Sequence, residues 1–557
     1  MSGVATDEGR PSRRPFRFRG VAIGAALAAL AAPFLVHFAW QRGIPTIGDD
    51  SVAYLVLARF FAGKAGPLVA PWVAYHTNFP PLFPLVLAAA GGATDLLVAH
   101  LVVAAAAIGA VYAIQRYGAL RLGSETAGVL LAAGFLLTPS AWIGIKGILS
   151  EPMYLLLSVV ALDLHAARME PRRDVAPGAW VAFGMLLAAA VLTRAAGVAL
   201  VAAFTVHAAV RALRRADRPR WAPFLALVPV VLLVAAWIAL RPAAGVDRYG
   251  AAASSGLADW LREPALMARL ASHFFFGGWV SSFAADPEAP AAFRAAFAVL
   301  GIAGLAGAAR AAAANRLDGW YVLATCAMVF LWVYPEENMR RLLYPVLPLL
   351  LMHAAELLVA LAARIAPPPR ARWIAACALA PAALLCLPAQ VVVQQKSFDR
   401  EPRDAAGRHA FADITDYYLT LNVQRAQALA GKQIAVLAGF DALAERTPPG
   451  ARVMWMRPEY VAILGGRVGV PFYYGWDERR IAEEVRRTGT QYVVLSREYK
   501  ADLSGRSGDP FATLAGVEKY ADPLYAMRNP AVGGDEFVLM KVDPGRLAGF
   551  LARDRNS

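Results

Sequence analysis

Eleven apolar stretches separated by short arginine-bearing connections constrain this chain more than any other feature. They run Val21 to Trp40, Asp95 to Ile114, Ala127 to Ile143, Pro152 to Ala167, Trp180 to Leu192, Ala195 to Val210, Trp221 to Leu240, Ala291 to Ala309, Trp320 to Tyr334, Leu342 to Leu361 and Trp373 to Val393. Unpaired backbone polar groups are too costly in hydrocarbon, so such stretches predict bilayer helices. An untilted span needs ~20 residues, and several of these are shorter. Of 557 residues, 58% are apolar and 17% charged, with a mean hydropathy of +0.46. The chain therefore reads as a polytopic α-helical membrane protein with about eleven transmembrane helices over 20–394.

The net charge of +14 does not point to nucleic acid, because the arginines gather between apolar runs, where they orient helices. With the basic segment 1–19 in the cytoplasm, Arg116 and Arg121, then Arg168, Arg172 and Arg173, fall on that side. Arg211, Arg214, Arg215, Arg218 and Arg220, then Arg310 with Arg316 and Arg364 with Arg370 and Arg372, join them. This alternation requires Trp180 to Val210 to be a hairpin turning at Thr193 and Arg194. The first run is longer than a signal-peptide core and reads as an uncleaved anchor. Cys326, Cys377 and Cys386 lie in apolar runs and read as packing residues, with no disulfide framework. The location expected is a bacterial plasma (inner) membrane.

On this topology the outer face receives loop 41–94, the connection Thr138 to Ser150, loop 241–290, the corner Tyr334 to Arg341, and the polar segment 395–557. Within loop 241–290, Leu257 to Leu270 and Phe274 to Phe283 read as interfacial helices. The segment 395–557 has the composition of a soluble α/β domain. Helices are expected over Phe411 to Ala430 and Asp477 to Arg487, and strands over Arg452 to Trp455, Gln491 to Leu495 and Phe537 to Val542. It holds no glycine-rich phosphate loop, metal-spaced cluster or nucleophile elbow, so a lid or acceptor-docking role is expected.

The unusual polar residues fall on that outer face. Asp49 and Asp50 follow the first span. Asp50 suits the N-cap of a helix from Ser51 to Ala62, but a cap needs one acid and two are present. Glu151 opens the Pro152 span, where it favours the positive helix end or serves a site, since an acid there is costly otherwise. His76 and Asn78 precede Pro80 and Pro81. With Asp49, Asp50 and Glu151, His76 would suit a divalent cation, which is left as one possibility. Arg340 and Arg341 end the Tyr334 corner, and Arg194 lies at the hairpin turn. Each can hold phosphate oxygens through its planar fork or snorkel to the interface. Lys146 could neutralise an anion, and Tyr54 and Tyr344 complete the substrate-binding candidates.

The succession GDDSVAYLVLAR, NFPPLFPLVLA, ILSEPMYLLL, LTRAAG and RRLLYPVLPLL, ahead of ERTPPGARVMWMRPEYVAILGGR, resembles the membrane glycosyltransferases of the GT-C superfamily. The likeness is to the branch of protein O-mannosyltransferases and aminoarabinose transferases, and it covers nearly the whole chain. It implies inverting transfer of a sugar from a polyprenyl-phosphate carrier to a glycan, lipid or protein acceptor outside the membrane. In that family an acid in the first outer loop is followed four residues later by Tyr, a spacing that Asp50 and Tyr54 meet; the family's Arg and, four residues on, Pro correspond to Arg341 and Pro345. The resemblance implies that Asp50 accepts or orients the acceptor hydroxyl and that Arg341, with Arg340 or Lys146, stabilises the departing phosphate. A transporter or flippase of lipid-linked substrates, a polysaccharide polymerase or ligase leaning on loop 241–290, and a non-catalytic assembly subunit remain open.

Overall fold

The computed structural model describes residues 14–39, 50–172, 174–214, 219–242, 268–269, 271–283, 290–331, 339–364, 380, 383–396, 423–471, 476–496, 514–529 and 534–553. Asp49, most of Leu257 to Leu270 and the first part of the Phe411 helix lie outside them. So does the start of the last apolar stretch, whose described part is a helix over 383–396.

The apolar stretches form a helical bundle. Its N-terminal half comprises α1 (Arg14–Ala39), α2 (Ser51–Phe61), α3 (Ala70–His76), α4 (Leu82–Ala90), α5 (Leu96–Leu122), α6 (Glu125–Leu137), α7 (Pro139–Lys146) and α8 (Glu151–Leu164). Then come α9 (Pro177–Thr193), α10 (Gly197–Leu213), α11 (Leu227–Leu240), α12 (Ala291–Ala313), α13 (Leu317–Leu331), α14 (Met339–Leu343) and α15 (Leu347–Ala362). Among the described residues, six helices are long and apolar enough to cross a bilayer, fewer than the eleven expected. Of the other five stretches, one is bent, three are short helices and the last, Trp373 to Val393, lies partly outside the described residues. α9, α10 and α13 are apolar but run 15 to 17 residues. α6 and α7 are bent by 76° at Thr138, whose extended backbone (ψ 134) precedes Pro139, because a residue before proline is pushed out of the helical region.

The Trp180 to Val210 stretch does break where the arginine pattern requires. α9 ends at Thr193 and α10 starts at Gly197, and the two pack together. Small residues permit such close approaches. A side chain at Gly307 on α12 would overlap the His353 carbonyl of α15. Phe274 to Phe283, expected to lie at the interface, turns one side inward and leaves Phe276 exposed. Phe274, Trp279 and Phe283 are buried, and Phe283 stacks on Phe297 of α12 at 4.3 Å.

The C-terminal region is a five-stranded sheet in the order β2-β1-β3-β5-β4, formed by β1 (Arg452–Trp455), β2 (Val468–Pro471), β3 (Tyr492–Ser496), β4 (Ala521–Asn529) and β5 (Gly534–Val542). β1 pairs in parallel with β2 and β3, and β5 runs antiparallel to β3 and β4. Three strands fall where expected; β2 and β4 were not anticipated. Helices α16 (Val423–Arg446), α17 (Pro458–Ile463) and α18 (Glu478–Thr488) accompany the sheet. Val52 of α2 shares a core with Phe440, Trp455 and Tyr460, and Val56 and Leu57 pack with Ala462. The sheet domain thus sits on α2, at the Asp50 end of the bundle.

Arg467 holds this domain's connections together. Its guanidinium donates to the carbonyls of Ala444, Thr447, Gly465 and Gly466 and to Thr447 Oγ1. Truncation would leave several buried acceptors unpaired, at ~1–3 kcal/mol each. Arg467→Ala should therefore release the C-terminal domain to limited proteolysis at a temperature where the wild-type chain resists. An unchanged cleavage pattern would show that water replaces these bonds.

Candidate active site

Asp50 occupies the N-cap position of α2, and its carbonyl accepts from the Tyr54 N–H at 3.1 Å. Its carboxylate, however, makes no capping hydrogen bond. Arg341 Nη2 donates to Asp50 Oδ2 at 2.6 Å instead, so the acid is turned toward α14 rather than onto its own helix. Ser150, which could have capped α8, likewise makes no cap bond. Its Oγ lies 2.7 Å from the Tyr54 hydroxyl and 3.3 Å from Arg194 Nη1. Glu151 is fully buried. Its Oε1 accepts from Arg194 Nη1 at 3.0 Å and from Arg341 Nε. Four charges from four parts of the chain therefore alternate in sign: Asp50, Arg341, Glu151, Arg194.

Local structure aims each of them. Arg194 leaves α9 in an extended conformation (φ −153, ψ 135), and its carbonyl accepts from Gly197 N at 2.8 Å. Beneath this turn the Tyr321 hydroxyl donates to the Tyr154 hydroxyl at 2.9 Å, and Tyr154 donates to the Ala196 carbonyl at 3.1 Å. On α14 successive side chains are ~100° apart, as 3.6 residues per turn demands. Arg341 accordingly faces the acids while Arg340 donates to the Ser281 carbonyl at 3.4 Å. Tyr54, one turn after Asp50, is held edge-on to Phe79 and Phe83 at 5.3 and 5.0 Å. Ser51 Oγ accepts from the Ile148 N–H at 3.1 Å, locking α2 to the segment before Glu151.

The cluster has an inner and an outer end. Glu151 is 1% exposed, whereas Asp50 and Arg341 keep 34% and 24% of their side-chain surface accessible. Burial pushes the Asp50 carboxyl up, but Arg341, Arg194 and Arg457 outweigh it and hold the group below its ordinary value. The inner pair anchors the site, and the outer pair is within reach of a ligand.

The remaining expected residues are distributed around this core. His76 is buried and points at Glu459 of α17, 4.0 Å away. Burial and Arg457 depress its pKa to about 4, against the pull of Asp50. Asn78 Oδ1 accepts from Arg241 Nη1 at 3.4 Å. Lys146 Nζ donates to the Phe38 carbonyl at 3.0 Å and lies over the Phe38 ring. The Tyr344 ring packs on Phe135 and over Gly144. The cation set of Asp50, His76 and Glu151 does not assemble. Among the described residues no group of three His, Cys, Asp or Glu side chains is placed to hold a metal, and Arg341 lies between the two acids. Asp49, the fourth candidate, is outside the described residues. Arg457 and Glu459 were not anticipated. They come from the sheet domain, and nothing in the local string MRPEY marks them as facing the bundle.

No family model and no curated protein matches the chain. Among solved structures it is similar to ArnT from Cupriavidus metallidurans bound to undecaprenyl phosphate, at 13% identity over 95% of this chain and 98% of that one, with a TM-score of 0.47. It is also similar to the oligosaccharyltransferase AglB from Archaeoglobus fulgidus in complex with an inhibitory peptide and a dolichol-phosphate (13% identity, 95% and 74% of the chains, TM-score 0.45). A third is the arabinofuranosyltransferase AftD from Mycobacteria (17% identity, 97% and 40%, TM-score 0.44). These neighbours are GT-C glycosyltransferases, the superfamily that the order of motifs resembles.

Two outcomes follow from the geometry. Removing one partner of a buried ion pair costs ~3–5 kcal/mol. Arg341→Met should lower the thermal midpoint accordingly, and Arg341→Met combined with Glu151→Gln should lose less than the sum of the single changes; additivity would mean that the contact carries no coupling. For His76 the folded pKa, about 4, lies below the unfolded value of ~6.5. As pH falls from ~6.5 toward 4 the unfolded chain gains a proton that the folded chain refuses, so ~3 kcal/mol of stability is lost over that window and none below it. His76→Gln should flatten this part of the stability–pH curve. A variant that keeps the wild-type slope would assign it to other groups.

Proposed function

We propose that the protein is a membrane glycosyltransferase that moves a sugar from a polyprenyl-phosphate-linked donor to an acceptor hydroxyl on a glycan, lipid or protein at the extracytoplasmic face. The observation that carries this reading is the convergence of Arg341 and Arg194 on Asp50 and Glu151 at the mouth of an apolar bundle. Such a site offers a fork of donors for a phosphate and an accessible carboxylate for a hydroxyl, next to helices between which an isoprenoid can lie. The sheet domain resting on α2 would cover the acceptor side.

In the proposed reaction the acceptor oxygen forms a bond to the anomeric carbon while the anomeric C–O bond to phosphate breaks. The leaving polyprenyl phosphate keeps the electron pair. Asp50 takes the acceptor proton or holds the hydroxyl in line for attack, and the anomeric centre inverts. Arg341 meets the negative charge that develops on the phosphate, with Arg194 behind it, in surroundings where fixed donors act more strongly than in water. Glu151 keeps both guanidiniums in place throughout. The orientation supporting this scheme is the arginine alternation, with the N-terminus inside and the sheet domain outside.

With a panel of radiolabelled polyprenyl-phosphate sugars, purified Asp50→Asn should lose turnover by about 10²- to 10⁴-fold while donor binding changes little. Arg341→Lys keeps the charge but not the fork and should cost about 10²- to 10³-fold. Full activity of Asp50→Asn would return the acid to a structural role, and a wild-type protein that neither binds nor consumes any lipid-linked sugar would remove the donor assignment.

A further inference from the structure

The end of the bundle opposite Glu151 holds a second charged assembly that the proposed reaction does not use. α8 and its π-helical continuation run 19 residues to Met169, about 28 Å at 1.5 Å per residue, and Glu170 follows. There Arg121 pairs with Glu170 at 2.8 Å and with Asp318 at 3.4 Å. Arg316 pairs with Asp318 at 2.5 Å and with Glu356 at 2.8 Å. Beside these pairs lies a cavity of about 340 Å³ whose lining includes Arg121, Arg310, Arg316 and one acid, Glu356. Its volume is in the range of small-molecule sites.

Arg310 is the informative member. It stands in the last turn of α12, is exposed, and its guanidinium makes no hydrogen bond or ion pair with any described residue. Arg121 and Arg316 are steadied by the acids behind them, so three guanidiniums border one space that contains a single carboxylate. The rest of the wall is small or apolar, including Leu122, Ala311 and Val359. Ile302 and Val299 on α12 and Leu361 on α15 are exposed at 58%, 66% and 46%, giving apolar flanks beside a cationic recess. Basic pockets between membrane helices recognise phosphate headgroups in this way, and guanidiniums bind phosphate oxygens bidentately.

We propose that this cavity binds the phosphate of an anionic lipid headgroup in the leaflet opposite the candidate active site, with Arg310 as its free contact and Arg121 and Arg316 as its fixed wall. The site does not depend on the glycosyltransferase reading.

The test uses the purified full-length protein in detergent at fixed ionic strength, with the thermal midpoint followed while short-chain phosphatidylglycerol, phosphatidylcholine or inorganic phosphate is titrated. Phosphatidylglycerol should raise the wild-type midpoint. Losing one charged contact should weaken its apparent affinity by about 10- to 100-fold in Arg310→Glu. Arg294→Ala removes an exposed arginine at the other end of α12 and should leave the affinity unchanged, which separates the cavity from general attraction of anions to a basic protein. Both changes are at exposed positions, and comparison of their unliganded midpoints reports any folding defect. If inorganic phosphate reproduces the shift with the same Arg310 dependence, the site serves a soluble phosphate group and the lipid assignment falls. No shift with either anion, or equal shifts in wild type and Arg310→Glu, would overturn the site itself.

Discussion

The contact on which the rest of this molecule depends is the one guanidinium shared by two acids. Arg341 reaches Asp50 through Nη2 at 2.6 Å and Glu151 through Nε, tying together a short helix on the bundle's rim and the start of a long one. α2 has only 11 residues, too few to be fixed by spanning a bilayer. Its position is set instead by Arg341, by Ser51 and Tyr54 gripping the Ile148 to Ser150 segment, and by the sheet domain packed on its other side. Loosening Arg341 would therefore free a helix that carries both Asp50, the acid of the proposed reaction, and the contact surface for a whole domain. The low polarity around Glu151 strengthens these attractions, but it equally makes any unpaired charge there expensive.

That arrangement also sets what the site can accept. Two carboxylates and two guanidiniums balance without a ligand. A phosphate that draws on Arg341 must share it with Asp50, and the shared cation leaves Asp50 better able to accept a proton from an incoming hydroxyl. Donor binding and activation of the acid would then be one event. A neutral lipid has nothing to offer Arg341 and leaves the resting pair intact, so discrimination would arise from charge rather than from the shape of the sugar.

Much of this was legible in the sequence, and the parts that were not share a cause. The break at Arg194 could be read because the arginine clusters on either side demand an even number of crossings. Asp50, Glu151, Arg194 and Arg341 could be singled out because charge at the mouth of an apolar run must be paired or used. Whether Asp50 capped α2 could not be read, because the cap and the ion pair begin from the same residue at the same helix start and differ only in where the carboxylate is aimed. The separation of Arg340 from Arg341 follows from helical geometry once α14 exists, yet α14 is a five-residue helix without a periodic signal of its own. Arg457 and Glu459 belong to a domain hundreds of residues downstream, and only the packing of α17 on α2 brings them near. Apolarity was visible and helix length was not: Pro139 starts a second, bent helix inside a run that looks continuous in composition, and α9, α10 and α13 are shorter than a straight crossing needs.

The placement of charge along α8 bears on the rival reading of the fold. A carrier that alternates access needs its ionisable groups near the middle of the membrane, at broken helices. In the described bundle the two largest ion-pair assemblies instead lie at opposite ends of one 19-residue span, one around Glu151 and the other around Glu170 and Asp318. From Tyr154 to Leu162, α8 contributes Leu155, Val159 and Leu162 to the core, with Tyr154 and Ser158 as its hydrogen-bonding members. Moving a charged headgroup from the Glu151 assembly toward the other would take it past this packed segment, where α8 carries no charge until Asp163, which pairs with Arg116 at 3.3 Å. A bundle clamped at both ends by buried ion pairs is better suited to holding a fixed reaction geometry at one surface, with the lipid's charge staying at that surface and only its chain entering between the helices.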